Sequence, residues 1–492
     1  MGTPDFTRFA EAHRAYAESL FAKIRSLSAS PAPNRGVTRF GYSEVEDRVL
    51  DALEEEGRAL GLETSRDAAG NLLMRLPGRD RTLPGLFCGS HADSVLDGGN
   101  FDGLAGITAA LLVVRDLQAR GVTPARDIVV TALRCEEQGL IGSRAMMGKL
   151  SEADLGRRWT PDSPTLAERL TAQGYDVARL SSGTPVVAPK SIAAFLELHI
   201  EQGVRLTQPG GPRVGLVTGI RGMVYHRMIH CWGEPAHAGA IDFPFRHDAL
   251  AATTRLVAGA WERWSQRVAK GEDLVFTTGI LETDPTAIFN KVPEHVRFSL
   301  DARSLSAETR EGFIYDFYED AKRLEAFHGV RFEFDPAGRN EPMESDPELM
   351  AKLEEGAAAL GIPVIHEPSG AGHDAQTFGL EKIPFAMVFI ANANGSHNPD
   401  EAVETDDFLA GAAVLVVEGT LTLLAGAIAP LLSEAAVADL TCAGSLLVAA
   451  IGLNQTGATK IKVADYLPAL LFVPVIRWLV GLPVWQQLAA LF

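Results

Sequence analysis

The chain alternates short apolar runs with longer amphipathic stretches, and the order of the two kinds carries the first structural information. Over residues 5–28, Phe6, Phe9, Tyr16, Leu20 and Ile24 recur at helical spacing, and Val45 to Leu60 repeat the pattern before Gly61, a residue suited to closing a helix. GLFCGSH, GITAALLVVRDLQARG, DIVVTALRCEE and AAFLELHIEQG follow. The second of these reads as a helix and the others as buried strands that end in polar or ionisable residues. This alternation predicts an α/β fold, with a mixed, largely parallel sheet flanked by helices. In such sheets ligands gather at the carboxyl ends of the strands, where these polar residues fall.

From about 213 to 330 the pattern changes to four β-rich segments, VYHRMIHCW, DLVFTTGIL, HVRFSLDAR and VRFEFDP, divided by helical stretches at 248–269 and 307–328. An inserted α+β domain is expected there. ELMAKLEEGAAALG and IPFAMVFI then resume the earlier character. The catalytic domain is therefore read in two parts, 1–212 and 331–428, around an insertion at 213–330.

The tail, 429–492, differs in kind. Its second apolar stretch, YLPALLFVPVIRWLVGLPVW, approaches the ~20 residues that span a bilayer, but Arg477 and three prolines interrupt it. The tail is either a membrane-associated segment or an apolar appendage docked on protein. Residues 452–469 resemble the end of an uncharacterised multi-span bacterial membrane protein family, which implies a fusion or an anchor and adds no chemistry.

A length of 492 residues allows two to four structural units and a large core. The formal charge of -18, with no run of lysine or arginine, excludes a nucleic-acid partner, whose phosphates it would repel. Cys88, Cys135, Cys231 and Cys442 are scattered without CxxC spacing, so neither a disulfide framework nor a thiolate zinc site is indicated. The N-terminus lacks a continuous apolar core, and a cytoplasmic location is expected, with membrane association through the tail as the reservation.

Candidate chemistry sits in a few short contexts. GSHADS puts His91 just after a strand, where its imidazole either ligates a divalent metal, with Asp93 on the other ring nitrogen, or serves as a hydrogen-bonded structural residue. GGNFDGLAG turns the backbone tightly around Asp102, which either bridges two cations about 3.5–4 Å apart or caps the next helix. CEEQG supplies adjacent carboxylates that point different ways, with Glu137 assigned to metal and Glu136 to a general base; the alternative is a solvated helix start. LELHIEQG places His199 on an apolar strand beside Glu197 and Glu201, costly without partners, and NGSHNPDE offers His397 in a polar turn. Together these nitrogen and oxygen donors suit two divalent ions, zinc, manganese, cobalt or nickel.

GVTR at 36–39, GSHADSV, GGNFDGLAG, EEQGLIGSR, LELHIEQG, PAHAG, GAGHDAQ and GSHNPDE resemble the M20-type metal-dependent amidases. The likeness is to the hydantoinase/carbamoylase branch, which holds N-carbamoyl-L-amino-acid hydrolases, β-ureidopropionases and allantoate amidohydrolases, and it runs to about residue 425. It implies a zinc-exopeptidase-like catalytic fold whose insertion serves as lid and dimerisation domain. The first metal would fall to His91 and His199, the second to Glu137 and His397, with Asp102 bridging, Glu136 as base and Asp93 orienting His91. His237 of PAHAG matches a histidine that crosses from the neighbouring subunit to polarise the substrate carbonyl. Gln202, Asn290 and Arg303 match substrate contacts, the last two grasping a carboxylate. Where the family continues HAG with Thr-Thr-Pro-Met, this chain has Ala240, Ile241, Asp242 and Phe243, which leaves its selectivity its own.

The expected activity is hydrolysis of a C–N amide bond in a linear carbamoyl or ureido acid by a homodimer holding two divalent metal ions. Two alternatives stand beside it. One is an exopeptidase or aminoacylase of the same superfamily, against which His199 speaks, since peptidase relatives generally carry a carboxylate there. The other is a catalytically inactive, membrane-tethered binding protein.

Overall fold

The computed structural model describes residues 5–159 and 162–428. Its first sheet has nine strands. In order across the sheet, Glu63–Arg66, Leu72–Leu76, Ile128–Leu133, Gly85–His91, Ile192–Ile200, Phe385–Ile390, Val214–Ile220 and Met343–Glu344 are neighbours, and Val364–Ser369 also pairs with Val214–Ile220. The pairs joining Ile128–Leu133, Gly85–His91, Ile192–Ile200 and Phe385–Ile390 are all parallel, and antiparallel strands flank them. Helices cover both faces of the central strands. Accordingly, Gly85–His91, Ile128–Leu133 and Phe385–Ile390 are buried at every position, and their sequences are mostly apolar with no polar alternation.

Local chemistry sets the helix ends. The Asp5 side chain accepts the amides of Thr7 and Arg8 at the start of helix Phe6–Ser28. Helix Glu44–Ala59 starts at the Ser43 cap and ends just before Gly61, whose φ of 70° is the left-handed conformation glycine adopts freely. Helix Leu104–Ala119 is almost wholly buried and begins at Gly103, φ 67°, where an added Cβ would meet the carbonyl oxygen and ring of His91 at 2.4–2.5 Å. Only glycine lets this helix start against His91.

The second sheet is antiparallel: Leu281–Thr283, His295–Ser304, Gly222–Trp232 and Arg331–Glu333 in order, with Val275–Thr277 and Gly338–Asn340 on its margins. Helices Ala249–Ala269 and Ala307–His328 cover one face, around Leu256, Phe276, Phe298, Phe313 and Phe317. From the other face Met223, Tyr225, Arg227 and Asp301 line the cleft described below.

Sheet membership does not follow the 213–330 bounds read in the sequence. Val214–Ile220 belongs to the first sheet, the second begins at Gly222, and Gly338–Asn340 still pairs there. The chain crosses at Arg221, whose guanidinium is clamped on Asp273 at 2.5–3.0 Å, and returns at 341–342. β-rich composition marks strands without saying which sheet they join, hence the offset.

Helix Thr405–Ile428 closes the described chain. The apolar tail 429–492, with the membrane-associated segment read in it, lies outside the described residues. Among the described residues no helix is long and apolar enough to cross a membrane.

Candidate metal centre and cleft

His91 is the last residue of its strand and His199 the penultimate residue of the adjacent parallel strand, so one sheet edge delivers both imidazoles. Their Nε2 atoms lie 3.4 Å apart. His199 Nδ1 sits 2.9 Å from the Ile200 carbonyl oxygen, to which only a protonated nitrogen donates, so its Nε2 is left with a free lone pair. His91 Nδ1 stands 3.4 Å from an Asp93 carboxylate oxygen, an arrangement that turns the other nitrogen toward His199.

Asp102 faces both rings. Its Oδ1 is 3.1 Å from His199 Nε2 and 3.7 Å from His91 Nε2; its Oδ2 is 3.5 Å from His397 Nε2, which in turn is 3.2 Å from Glu137 Oε2. Two donor groups therefore share one aspartate: His91, Asp102 and His199 on one side, Asp102, Glu137 and His397 on the other. Asp102 Oδ1 and Glu137 Oε1 are buried without a hydrogen-bond partner. A buried carboxylate oxygen left unpaired is costly, and a divalent cation at each group removes that cost. With only imidazole and carboxylate donors, the residues fit a divalent metal ion.

Glu136 and Glu137 follow Cys135, whose φ of 54° is left-handed, a strained state for a non-glycine residue. The turn is held by Asp93, which accepts the Glu136 amide at 2.9 Å and the Glu137 amide at 3.2 Å. Burial pushes the Glu136 carboxyl well above its usual range; His91 opposes this, and Asp374, Glu137 and Asp93 add to it. Its Oε2 lies 4.0 Å from His91 Nε2. Burial works to raise the Asp102 carboxyl, but the close imidazoles of His199 and His91, wherever they carry a proton, outweigh it and hold the group well below the usual carboxylate range.

Three residues that sequence reasoning left without a role complete the surroundings. Ser396 Oγ donates to Asp102 Oδ2 at 2.6 Å, and Glu401 accepts the amides of Phe101 and Asp102 at 2.8 and 3.3 Å. Both lie within or just after the GSHNP turn, where adjacency to His397 was the available signal. His373, from GAGHDAQ, packs its ring 4.4 Å from that of His199 and forms a further buried donor group with Glu197.

The substrate-contact residues are placed unevenly. Gln202 is in the cleft, its Nε2 donating to Asp102 Oδ2 at 3.0 Å. His237, Asn290 and Arg303 are not among the residues lining that cleft. His237 is exposed on a two-stranded ribbon with Lys291–Val292, and the Asn290 carbonyl accepts the Ala238 amide beside it. Arg303 is bound by both oxygens of Asp301 at 2.7 and 2.9 Å and donates to the Gly370 carbonyl at 2.7 Å.

The cleft has a volume of about 1140 Å³ and is walled by both sheets, with His91, Asp102, Glu136, Glu137, His199 and His397 at one end. The profile of peptidase family M20/M25/M40 matches residues 82–417, which span every one of these groups. The chain belongs to that family. Among M20 relatives, the N-carbamoyl-L-amino acid amidohydrolase of Geobacillus stearothermophilus is 34% identical over 405 residues, covering 81% of this chain and 96% of the relative. The allantoate amidohydrolase of Escherichia coli (strain K12) is 32% identical over 403 residues, 80% of this chain and 94% of the relative. A solved M20 neighbour, the hydantoinase/carbamoylase family amidase of Burkholderia multivorans, superposes with a TM-score of 0.74 at 28% identity, over 82% of this chain and 97% of that one. The chain is thus an M20 member of the hydantoinase/carbamoylase amidase branch. Residues 408–478 separately match a family of unknown function, DUF554.

Proposed function

We propose that the protein is a metal-dependent amidohydrolase that hydrolyses the C–N bond of a linear carbamoyl or ureido acid with two divalent ions in the cleft. The single observation that carries this reading is the position of Asp102, with one carboxylate oxygen toward His91 and His199 and the other toward His397. When bound, such a pair of cations makes water nucleophilic near neutral pH and polarises a carbonyl.

The remaining work belongs to side chains. Glu136 takes a proton from the attacking water and returns it to the departing nitrogen, and its raised proton affinity suits a carboxylate that must hold a proton between these steps. Asp93 aims Glu136 and Glu137 through their amides. Gln202 steadies Asp102 and faces the substrate. On closure of the inserted domain Arg303 exchanges Asp301 for the substrate carboxylate, with Asn290 as second donor, and water is excluded. His237, exposed in its own chain, reaches the cleft of a second protomer and stabilises the developing oxyanion. A homodimer through the inserted domain follows; its exposed strand Leu281–Thr283, at the edge of the second sheet and paired there with His295–Ser304, and exposed Trp261 support this. The relatives named above act, by their names, on N-carbamoyl-L-amino acids and allantoate, and substrates of that class are proposed here. The acidic charge and the buried free cysteines Cys135 and Cys231 suit a cytoplasmic location.

The test is turnover of N-carbamoyl-L-amino acids, allantoate and dipeptides after chelation and reconstitution with manganese, cobalt or zinc. Ammonia release from the first two classes is expected. Cleavage of dipeptides alone would replace this reading with an exopeptidase, and no turnover with any metal would leave a binding protein.

A further inference from the structure

Away from the metal centre, the cleft lining carries five cationic side chains against three carboxylates, in a chain that is acidic overall. Beyond the metal centre, Arg144, Lys149 and Arg157 line one wall and Arg227 and Arg339 the other, in a protein of formal charge -18. Their partners do not balance them. Arg144 and Arg157 share a single carboxylate, Asp154, at 2.6 and 3.6 Å, and Lys149 pairs with Glu381 at 2.7 Å. Arg339 pairs with Glu311, which also serves the buried Arg310. Arg227 makes no ion pair among the described residues; its guanidinium stands 5.7 Å from the Tyr225 ring centre. Asp301, the other acid on that wall, is already bound by Arg303.

Part of this surplus is anchored at the metal end. Arg157 Nη1 donates to the Gln138 carbonyl at 2.8 Å, one residue past Glu137, so it flanks the reacting end of the cleft. Arg227 projects from the inserted sheet on the side that would close. Cations concentrated on low-dielectric walls draw in anions, and a planar guanidinium binds a carboxylate through two parallel hydrogen bonds.

Resting on the amidohydrolase reading above, we infer that the natural substrate carries a second anionic group: it is the carbamoyl derivative of a dicarboxylic amino acid, or an equivalent ureido diacid. One carboxylate goes to Arg303. The other, on the side chain, is held between Arg227 and the Arg157 wall. A monocarboxylate held by Arg303 would leave Arg227 without an anionic partner and Arg157 with only the shared Asp154.

The experiment compares isosteric pairs on the metal-reconstituted full chain: N-carbamoyl-L-glutamate against N-carbamoyl-L-glutamine, and the aspartate and asparagine counterparts. The diacid of at least one pair should be preferred in kcat/KM by about tenfold or more, and its rate should fall more steeply with added salt. Arg227→Gln should reduce that preference by about tenfold, mainly through KM for the diacid, and Arg227→Lys should restore part of it. Equal rates within both pairs, or a preference unmoved by Arg227→Gln, would overturn the inference while leaving the amidohydrolase reading intact. Failure of all four compounds, alongside failure of allantoate and monocarboxylic carbamoyl amino acids, would overturn both.

Discussion

One oxygen of Asp93 accepts the backbone N–H of Glu136 at 2.9 Å and also stands 3.4 Å from His91 Nδ1, while the other accepts the amide of Glu137. One buried carboxylate thereby couples the imidazole at the end of one strand to the glutamate turn at the end of the next. Replacing it leaves two amides unsatisfied and frees the His91 ring. Asp93→Ala should lower cation affinity and kcat each by about 10–100-fold, the usual cost of losing a group that orients a ligand. Metal titration of the chelated protein, together with steady-state rates, checks this.

Glu136 is buried and strains toward its protonated form, whereas Glu137 faces His397. Glu136→Gln keeps size and hydrogen bonding but cannot take a proton. Turnover should fall by about 10²–10⁴-fold, with cation content per chain unchanged by elemental analysis. Glu137→Gln should instead lower cation content.

How much of this was legible in the sequence follows from what each residue depends on. His91, His199 and the Glu136–Glu137 pair could be read because strand direction alone aims them to one edge. The fold class was legible for the same reason: uninterrupted apolar runs such as IPFAMVFI demand burial on both faces. Ser396, Glu401 and His373 were not, since each acts through a partner distant along the chain, Asp102 for the first two and His199 for the third. The 213–330 bounds do not coincide with sheet membership, because Val214–Ile220 has the same β character as Gly222–Trp232 and differs only in the sheet it joins. His237, Asn290 and Arg303 came from resemblance, and within one chain none of them lines the cleft, although Arg303 binds Asp301 of its wall.

In the cation-free protein, Glu137 beside His397 pushes that imidazole up to about 9. Below that pH a cation must displace a proton to bind His397. Calorimetry in buffers of different ionisation enthalpy at neutral pH should record proton release as the second ion binds, and affinity there should weaken as pH falls. His397→Asn should abolish the release. Binding heats independent of buffer would remove His397 from the ligand set.

Burial opposes ionisation of Asp154, but bonds from Arg144 and Ser151 outweigh it and bring the carboxyl down to about 2, against an ordinary 3.8. A folded-state value below the unfolded one means stability that is fully present above about pH 4 and lost as pH falls toward 2. With solvent screening at the partly open arginines, the contribution is about 1 kcal/mol. Urea midpoints of Asp154→Asn should lie below wild type at pH 7 and converge with it between pH 4 and 2. A constant difference across that range would assign the loss to packing.

The most direct test of the central claim is an anomalous diffraction map from crystals of the full chain grown with manganese or zinc. Two peaks are expected, one on each side of the Asp102 carboxylate, the first within bonding distance of His91 and His199 and the second of Glu137 and His397. Peaks elsewhere, or a site from which Asp102 is absent, would contradict the account.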